Sequence, residues 1–162
     1  MCVPGTHLPV LQLLCERLSD ADVVWAVTGS TGLAAQGVAV DVHDIDVQSD
    51  RLGAYAIAAL FPGRVVRPVE FSAAANIRSH YGALEIEAVT VEIMGDVEKR
   101  LAAGTWESPP DLTAQRRWVQ LGGFELPVLS LEYELGAYAT LGRAHTVRAI
   151  RRALLERAAG DE

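Results

Sequence analysis

The chain has a single lysine, Lys99, against thirteen arginines, so chemistry that needs a lysine, Schiff-base formation above all, has one candidate and little support. Cysteine is equally scarce: Cys2 and Cys15 are the only two, and one lies at the extreme end, which argues against a disulfide framework or a cysteine zinc site. Cys15 reads as a small apolar filler on a helix. No apolar run approaches the roughly 20 residues of a membrane-spanning helix, and the first residues lack the basic-then-apolar layout of a secretory signal; the expected compartment is the cytoplasm. Positive charge is also short. Fourteen Lys plus Arg face 21 Asp plus Glu, a net charge of -7, which repels a phosphate backbone and disfavours generic nucleic-acid binding. What remains is ordinary for a folded protein: 162 residues, 50% hydrophobic and 22% charged, enough for one domain over residues 1–162 with a substantial core.

Leu8, Leu11, Leu14, Cys15 and Leu18 recur at helical spacing and predict a helix over 7–19. The β-branched and aromatic run 23–28 reads as a buried strand stopped by Gly29. A short helix over 31–36, with Ser30 as its N-cap, closes at Gly37. Residues 42–48 alternate, with Ile45 and Val47 on one face and Asp44 and Asp46 on the other, as a half-buried strand does. A helix over 52–60 ends at Phe61-Pro62-Gly63. Val65, Val66 and Val69 suggest a strand, as do Leu84–Ile86 and the run Val89, Val91, Ile93, from which Glu92 points the opposite way. A short helix is expected over 96–102, loop over 104–113, and a hairpin over 119–126 around Gly122-Gly123. Helices over 130–141 and about 143–158 complete the chain. There is no internal repeat. The order predicts an α+β (mixed α/β) fold: a central mixed sheet flanked by helices, with a C-terminal helical pair, about 130–158, packed on it.

Asp44 and Asp46, two residues apart on a strand, share a face. Like charges so close repel, and a divalent cation relieves the repulsion; Mg²⁺ prefers carboxylate oxygens, with water or phosphate oxygens completing its shell. A solvated strand face shows the same pair. Gly29-Ser30, leaving a strand and opening a helix, offers backbone N–H groups to a phosphate, and is also what a simple capped turn looks like. The dinucleotide-binding and P-loop glycine patterns both fail here, at Thr31 and at Ala34-Ala35-Gln36 respectively.

Together the signals are specific. A strand ending in Gly29-Ser30, thirteen residues over 31–43, then Asp44-Ile45-Asp46-Val47 and a third acid in Val91-Glu92-Ile93 resemble the signature of the DNA polymerase beta-like nucleotidyltransferase superfamily. Val27–Ser30, Gln36-Gly37, Val42–Asp46, Val91–Asp96 and Pro127–Glu134 are similar to small stand-alone prokaryotic nucleotidyltransferase-like proteins, so the likeness spans nearly the whole chain. The resemblance implies transfer of a nucleoside monophosphate from an NTP to a hydroxyl acceptor, with release of pyrophosphate. It assigns the triphosphate to Gly29 and Ser30, one or two Mg²⁺ ions to Asp44 and Asp46, and to Glu92 either a contact to the metal or the activation of the acceptor hydroxyl.

Many relatives carry a triphosphate-binding lysine on the helix after the sheet. Leu131–Leu141 has none, and Arg143 is the nearest substitute, although a guanidinium binds phosphate as a planar fork and not as a point charge. Arg78, in the polar stretch Arg78-Ser79-His80 between strand candidates, is a second candidate for phosphate or acceptor, where an exposed loop is the plain alternative. The alternative on the same fold is a non-catalytic nucleotide-, metal- or partner-binding module, for instance one held by a toxin-like protein. His43 is expected to pack or cap and not to bind metal; Arg148, Arg151, Arg152 and Arg157 read as a solvated helix face; Trp25 and Trp118 read as core.

Overall fold

The computed structural model describes residues 2–161. Helix α1 (Leu8–Ser19) starts with proline in its first turn and buries Val10, Leu11, Leu14 and Leu18, the stripe that a 3.6-residue period aligns. Strand β1 (Trp25–Thr28) is buried at every position. Helix α2 (Gly29–Ala35) follows without a loop, then β2 (Ile45–Ser49) and α3 (Arg51–Ala59). The Asp50 carboxylate caps α3 by accepting from the Gly53 N–H at 2.6 Å. Strands β3 (Val65–Ala73), β4 (Ile77–Ile86) and β5 (Val89–Lys99) form a long meander. The short α4 (Leu112–Gln115) leads into the hairpin of β6 (Arg116–Leu121) and β7 (Phe124–Leu129), and α5 (Leu131–Thr140) and α6 (Ala144–Gly160) end the chain.

The strands form one sheet in the order β3-β4-β5-β2-β1-β7-β6. It is mixed: β2 runs parallel to β5 and β1 parallel to β7, while the remaining pairs are antiparallel. One face carries the main core, where Leu11 and Leu14 of α1 and Ile57 of α3 join Val27, Ile45, Val47, Val91 and Ile93. Across the opposite face lies α5, which with α2 and α6 buries Leu33, Val38, Leu131 and Ile150. The mixed sheet and the C-terminal helical pair are as the sequence predicts.

Four local expectations are corrected. The stretch expected as a helix over 96–102 instead extends β5 to Lys99, because pairing of Ile77 with Lys99 and Arg78 with Glu98 overrides its local helical preference. Helix α2 is capped at Thr28 and not at Ser30, whose hydroxyl lies inside the first turn and accepts from the His43 N–H at 3.0 Å. Residues 78–80 are not a polar link between strands but the middle of β4. Trp25 is core, but Trp118 is 55% exposed, since β6 is a sheet edge with no layer over that position; it stacks instead against the Arg116 guanidinium. The diglycine turn forms, with both Gly122 and Gly123 at positive φ.

Candidate active site

Register builds the site. Thr28 pairs with Asp46 across β1 and β2, and Asp46 pairs with Glu92 across β2 and β5. Cross-strand partners point to the same side of a sheet, so the two carboxylates are neighbours on the face away from the main core, while Ile45, Val47, Val91 and Ile93 fill the other. Asp44 stands one residue before β2 begins, exposed, with its carbonyl accepting from the Thr31 hydroxyl at 3.1 Å. Asp44, Asp46, Glu92, Ser30 and Arg143 line one hollow of about 370 Å³. Gly29, Asp46, Lys99, Glu134 and Arg143 line an adjoining cleft of about 210 Å³.

Glycine at 29 is dictated by this geometry. Its φ is +67°, and a Cβ there would run into the Asp46 Oδ2 atom, so a side chain would displace the carboxylate from its place.

The electrostatics are strained in one direction. Burial pushes the Asp46 carboxyl up to about 8, helped by its hydrogen bond with Glu92 and by the negative charges of Glu92, Asp44 and Glu134. Asp46 Oδ1 is buried and has no hydrogen-bond partner among the described residues, the state of an oxygen waiting for a cation or a donor. Glu92 is held by the Tyr81 hydroxyl, which donates to its Oε1 at 2.6 Å. Glu134, on α5, is 3% exposed and accepts from the Thr28 hydroxyl at 2.5 Å. Burial pushes it up to about 7, against the pull of that hydrogen bond and of the Lys99 charge.

Among the described residues no group of three His, Cys, Asp or Glu side chains is already drawn together as a metal cage. A hard cation does not need one. Mg²⁺ is commonly held by one or two carboxylates, with waters and substrate phosphates filling the octahedron, and the unpartnered Asp46 oxygen with Asp44 beside it is such a donor set.

The structure thus brings together Gly29, Ser30, Asp44, Asp46, Glu92 and Arg143. It leaves Arg78 elsewhere: that guanidinium pairs with Glu98 at 3.0 Å and lies 4.3 Å from the centre of the Trp106 ring, and it lines neither hollow. His43 lines the rim, but its carbonyl and N–H are taken by the His7 ring and the Ser30 hydroxyl. Sequence reasoning missed Tyr81, Glu134 and Lys99, and also Tyr138, which lines both hollows. Glu134 stood within a recognised segment without a role, and Lys99 was placed on a helix that does not exist. Only the strand pairing of β4 with β5 shows where either Tyr81 or Lys99 points.

Residues 10–153 match the aminoglycoside-2''-adenylyltransferase family. No curated protein matches the chain. Among solved structures, it is similar to TM1012, a candidate nucleotidyltransferase from Thermotoga maritima, with 47% identity, 95% of this chain and 96% of that one covered, and a TM-score of 0.82. The fold is shared at 14% identity with ANT(2")-Ia, solved with adenylyl-2"-tobramycin, at a TM-score of 0.61 over 97% of this chain and 92% of that one. It is shared at 14% identity with the lincosamide antibiotic adenylyltransferase LnuA, solved with lincomycin, at a TM-score of 0.56 over 93% and 98%. By the match that spans most of its length, this chain belongs to the aminoglycoside-2''-adenylyltransferase family of nucleotidyltransferases.

Proposed function

We propose that the chain works as a single nucleotidyltransferase domain that moves a nucleoside monophosphate from an NTP to a hydroxyl of an acceptor. The observation that carries this reading is the row of paired positions Thr28, Asp46 and Glu92 on the open face of the sheet, with a buried, unpartnered Asp46 oxygen at its centre. Asp44 and Asp46, with Glu92 alongside, are the residues that would hold divalent cations. Bound there, such cations would neutralise the triphosphate and stabilise both the attacking and the leaving oxygen of an in-line displacement.

The chain's own groups supply the rest. The Gly29 and Ser30 backbone meets the phosphates beside the Asp46 carboxylate, whose Oδ2 takes the space a Cβ at position 29 would fill. Tyr81 orients Glu92 by donating to its Oε1, and the Glu92 carboxylate takes the proton of the acceptor hydroxyl. The acceptor oxygen then bonds to the α-phosphorus as the bond from that phosphorus to the pyrophosphate oxygen breaks, and pyrophosphate departs. The hollow around Asp41, Asp44 and Glu92 is acidic, which suits an acceptor that is neutral or positively charged.

The test is transfer of label from α-labelled ATP to a panel of hydroxyl acceptors, aminoglycosides and lincosamides included, with pyrophosphate release followed in parallel. Labelled product lost in Asp46→Asn is the expected result. Transfer that survives this substitution would remove the site from the reaction.

A further inference from the structure

We propose that the far side of α5 carries a second ligand site, separate from the catalytic cleft, that takes a small zwitterion bearing one carboxylate and one ammonium group. It stands or falls independently of the nucleotidyl-transfer reading.

The site begins with one irregularity in β5. Val91 and Ile93 point into the main core, and in a regular strand Gly95, Val97 and Lys99 would follow them. Instead the pairing with β4 shifts between Arg78–Glu98 and His80–Gly95, and Asp96 adopts φ of 50°. Such an extra residue in one strand reverses the alternation beyond it. Val97 and Lys99 therefore turn to the open face, beneath α5, where both line the cleft of Gly29 and Asp46. Lys99 runs on past that cleft. Its ammonium donates to the Tyr133 hydroxyl at 3.1 Å and faces the Glu107 carboxylate at 4.0 Å, and both partners line a different hollow, of about 380 Å³, on the other side of the helix. That volume is in the range of small-molecule sites.

The hollow holds an unbalanced set of charges. Lys99 is 4% exposed, and of the three donors an ammonium carries it uses one among the described residues. A buried charge is stable when it is closely paired and hydrogen-bonded; this one has a single long ion pair and two donors unused. Nearer the solvent stand two carboxylates, the half-exposed Glu107 and the exposed Glu132, the latter with no ion pair among the described residues. A phosphate or other dianion would meet two like charges there, and a simple amine would meet Lys99. A ligand with one carboxylate for Lys99 and one ammonium for Glu107 and Glu132 satisfies all three.

Gly136 points the same way on different grounds. It lies inside α5 (Leu131–Thr140), where only proline is a poorer helix former, and a Cβ added there would meet nothing within 4 Å. No neighbour in the folded chain demands glycine at this position. The space it leaves belongs to the hollow, and a ligand seated on Lys99 is what would use it.

Because Lys99 is the only lysine, ¹³C-lysine labelling of the native protein gives one Cε signal, read without any substitution. The probes are glycine, β-alanine and γ-aminobutyrate, which differ in the distance between their charges, with butyrate and butylamine as single-charge controls. At least one of the three is expected to shift the Cε signal, about 10-fold more tightly than either control, and equally with Mg²⁺ and a non-hydrolysable ATP analogue present. Gly136→Leu, which fills the hollow from an open helix position, should keep the melting temperature and lose the shift. Glu132→Gln should weaken the zwitterion about 10-fold and leave butyrate unchanged. A Cε signal unmoved by all three, butyrate or butylamine binding as tightly as the zwitterion, displacement by the ATP analogue, or undiminished binding in Glu132→Gln and Gly136→Leu would overturn the proposal.

Discussion

On the face of the sheet covered by α1 and α3, Ile45, Val47, Val91 and Ile93 are fully buried among apolar neighbours. One step along the same strands, on the other face, Asp46 and Glu92 crowd together, with Glu134 above them, in surroundings that penalise the charges of Asp46 and Glu134. The backbone is shared and the register is the same; only the alternation of side chains separates a face that stabilises the fold from one that strains it. Strain of this kind persists where a ligand relieves it, which is why perturbed carboxylates mark functional sites. The two faces should therefore respond in opposite ways to substitution.

The largest expected effect is on activity. Asp46→Asn should lower nucleotidyl transfer by about 100- to 1,000-fold or more while leaving the fold intact and raising the melting temperature at pH 8, since it removes a buried like charge. Next comes the opposite face: Ile93→Ala should cost about 2–5 kcal/mol of stability, read by denaturant unfolding, with activity per folded molecule preserved. If Asp46→Asn proved as destabilising as Ile93→Ala, the contrast between the faces would fail.

The pH dependence sharpens the same contrast. Asp46 is raised from 3.8 to about 8 and Glu134 from 4.5 to about 7 in the folded chain. Between the unfolded and the folded values the native state binds more protons than the unfolded one, so stability falls as pH rises. Without added divalent cation, the melting temperature should decline from about pH 4 to pH 8, and Asp46→Asn should flatten that decline. A melting temperature that climbs over this window would show that the carboxylates are not held as described.

Smaller effects follow. Tyr81→Phe removes the hydrogen bond that holds Glu92; transfer should drop about tenfold, with a stability change near 1 kcal/mol. At the far end of β5, Glu87 and Ala88 form the two-residue turn at positive φ, 51° and 61°, a conformation that costs ordinary residues about 1 kcal/mol or more each. Replacing them with Asn-Gly should raise the melting temperature and leave kinetics untouched.

How much of this could be read from the sequence follows from the range of the forces involved. The strand at Ile45–Ser49, the apolar row Val89, Val91 and Ile93, the helix with its Leu11 and Leu14 stripe and the Gly122-Gly123 turn are all written in local patterns, and so are Asp44, Asp46 and Glu92. Lys99 is not. Its stretch has helical propensity, and it becomes strand only because Ile77 and Arg78, about twenty residues earlier, pair with it. The Asp96 bulge that turns it toward the cleft leaves no local mark. Arg78 fails for the same reason in reverse: its polar surroundings suggest a loop, but its place on β4 gives it to Glu98 and Trp106. Trp118 is apolar in type and exposed in fact because edge position is a property of the whole sheet.

The central claim is that the acidic face is a cation-dependent triphosphate site. Calorimetry with a non-hydrolysable ATP analogue, with and without Mg²⁺, on the native chain and on the Asp44→Asn/Asp46→Asn double variant, tests it directly. Binding that requires Mg²⁺ and disappears in the double variant is the predicted result. Equal binding by both proteins, or binding indifferent to Mg²⁺, would contradict it.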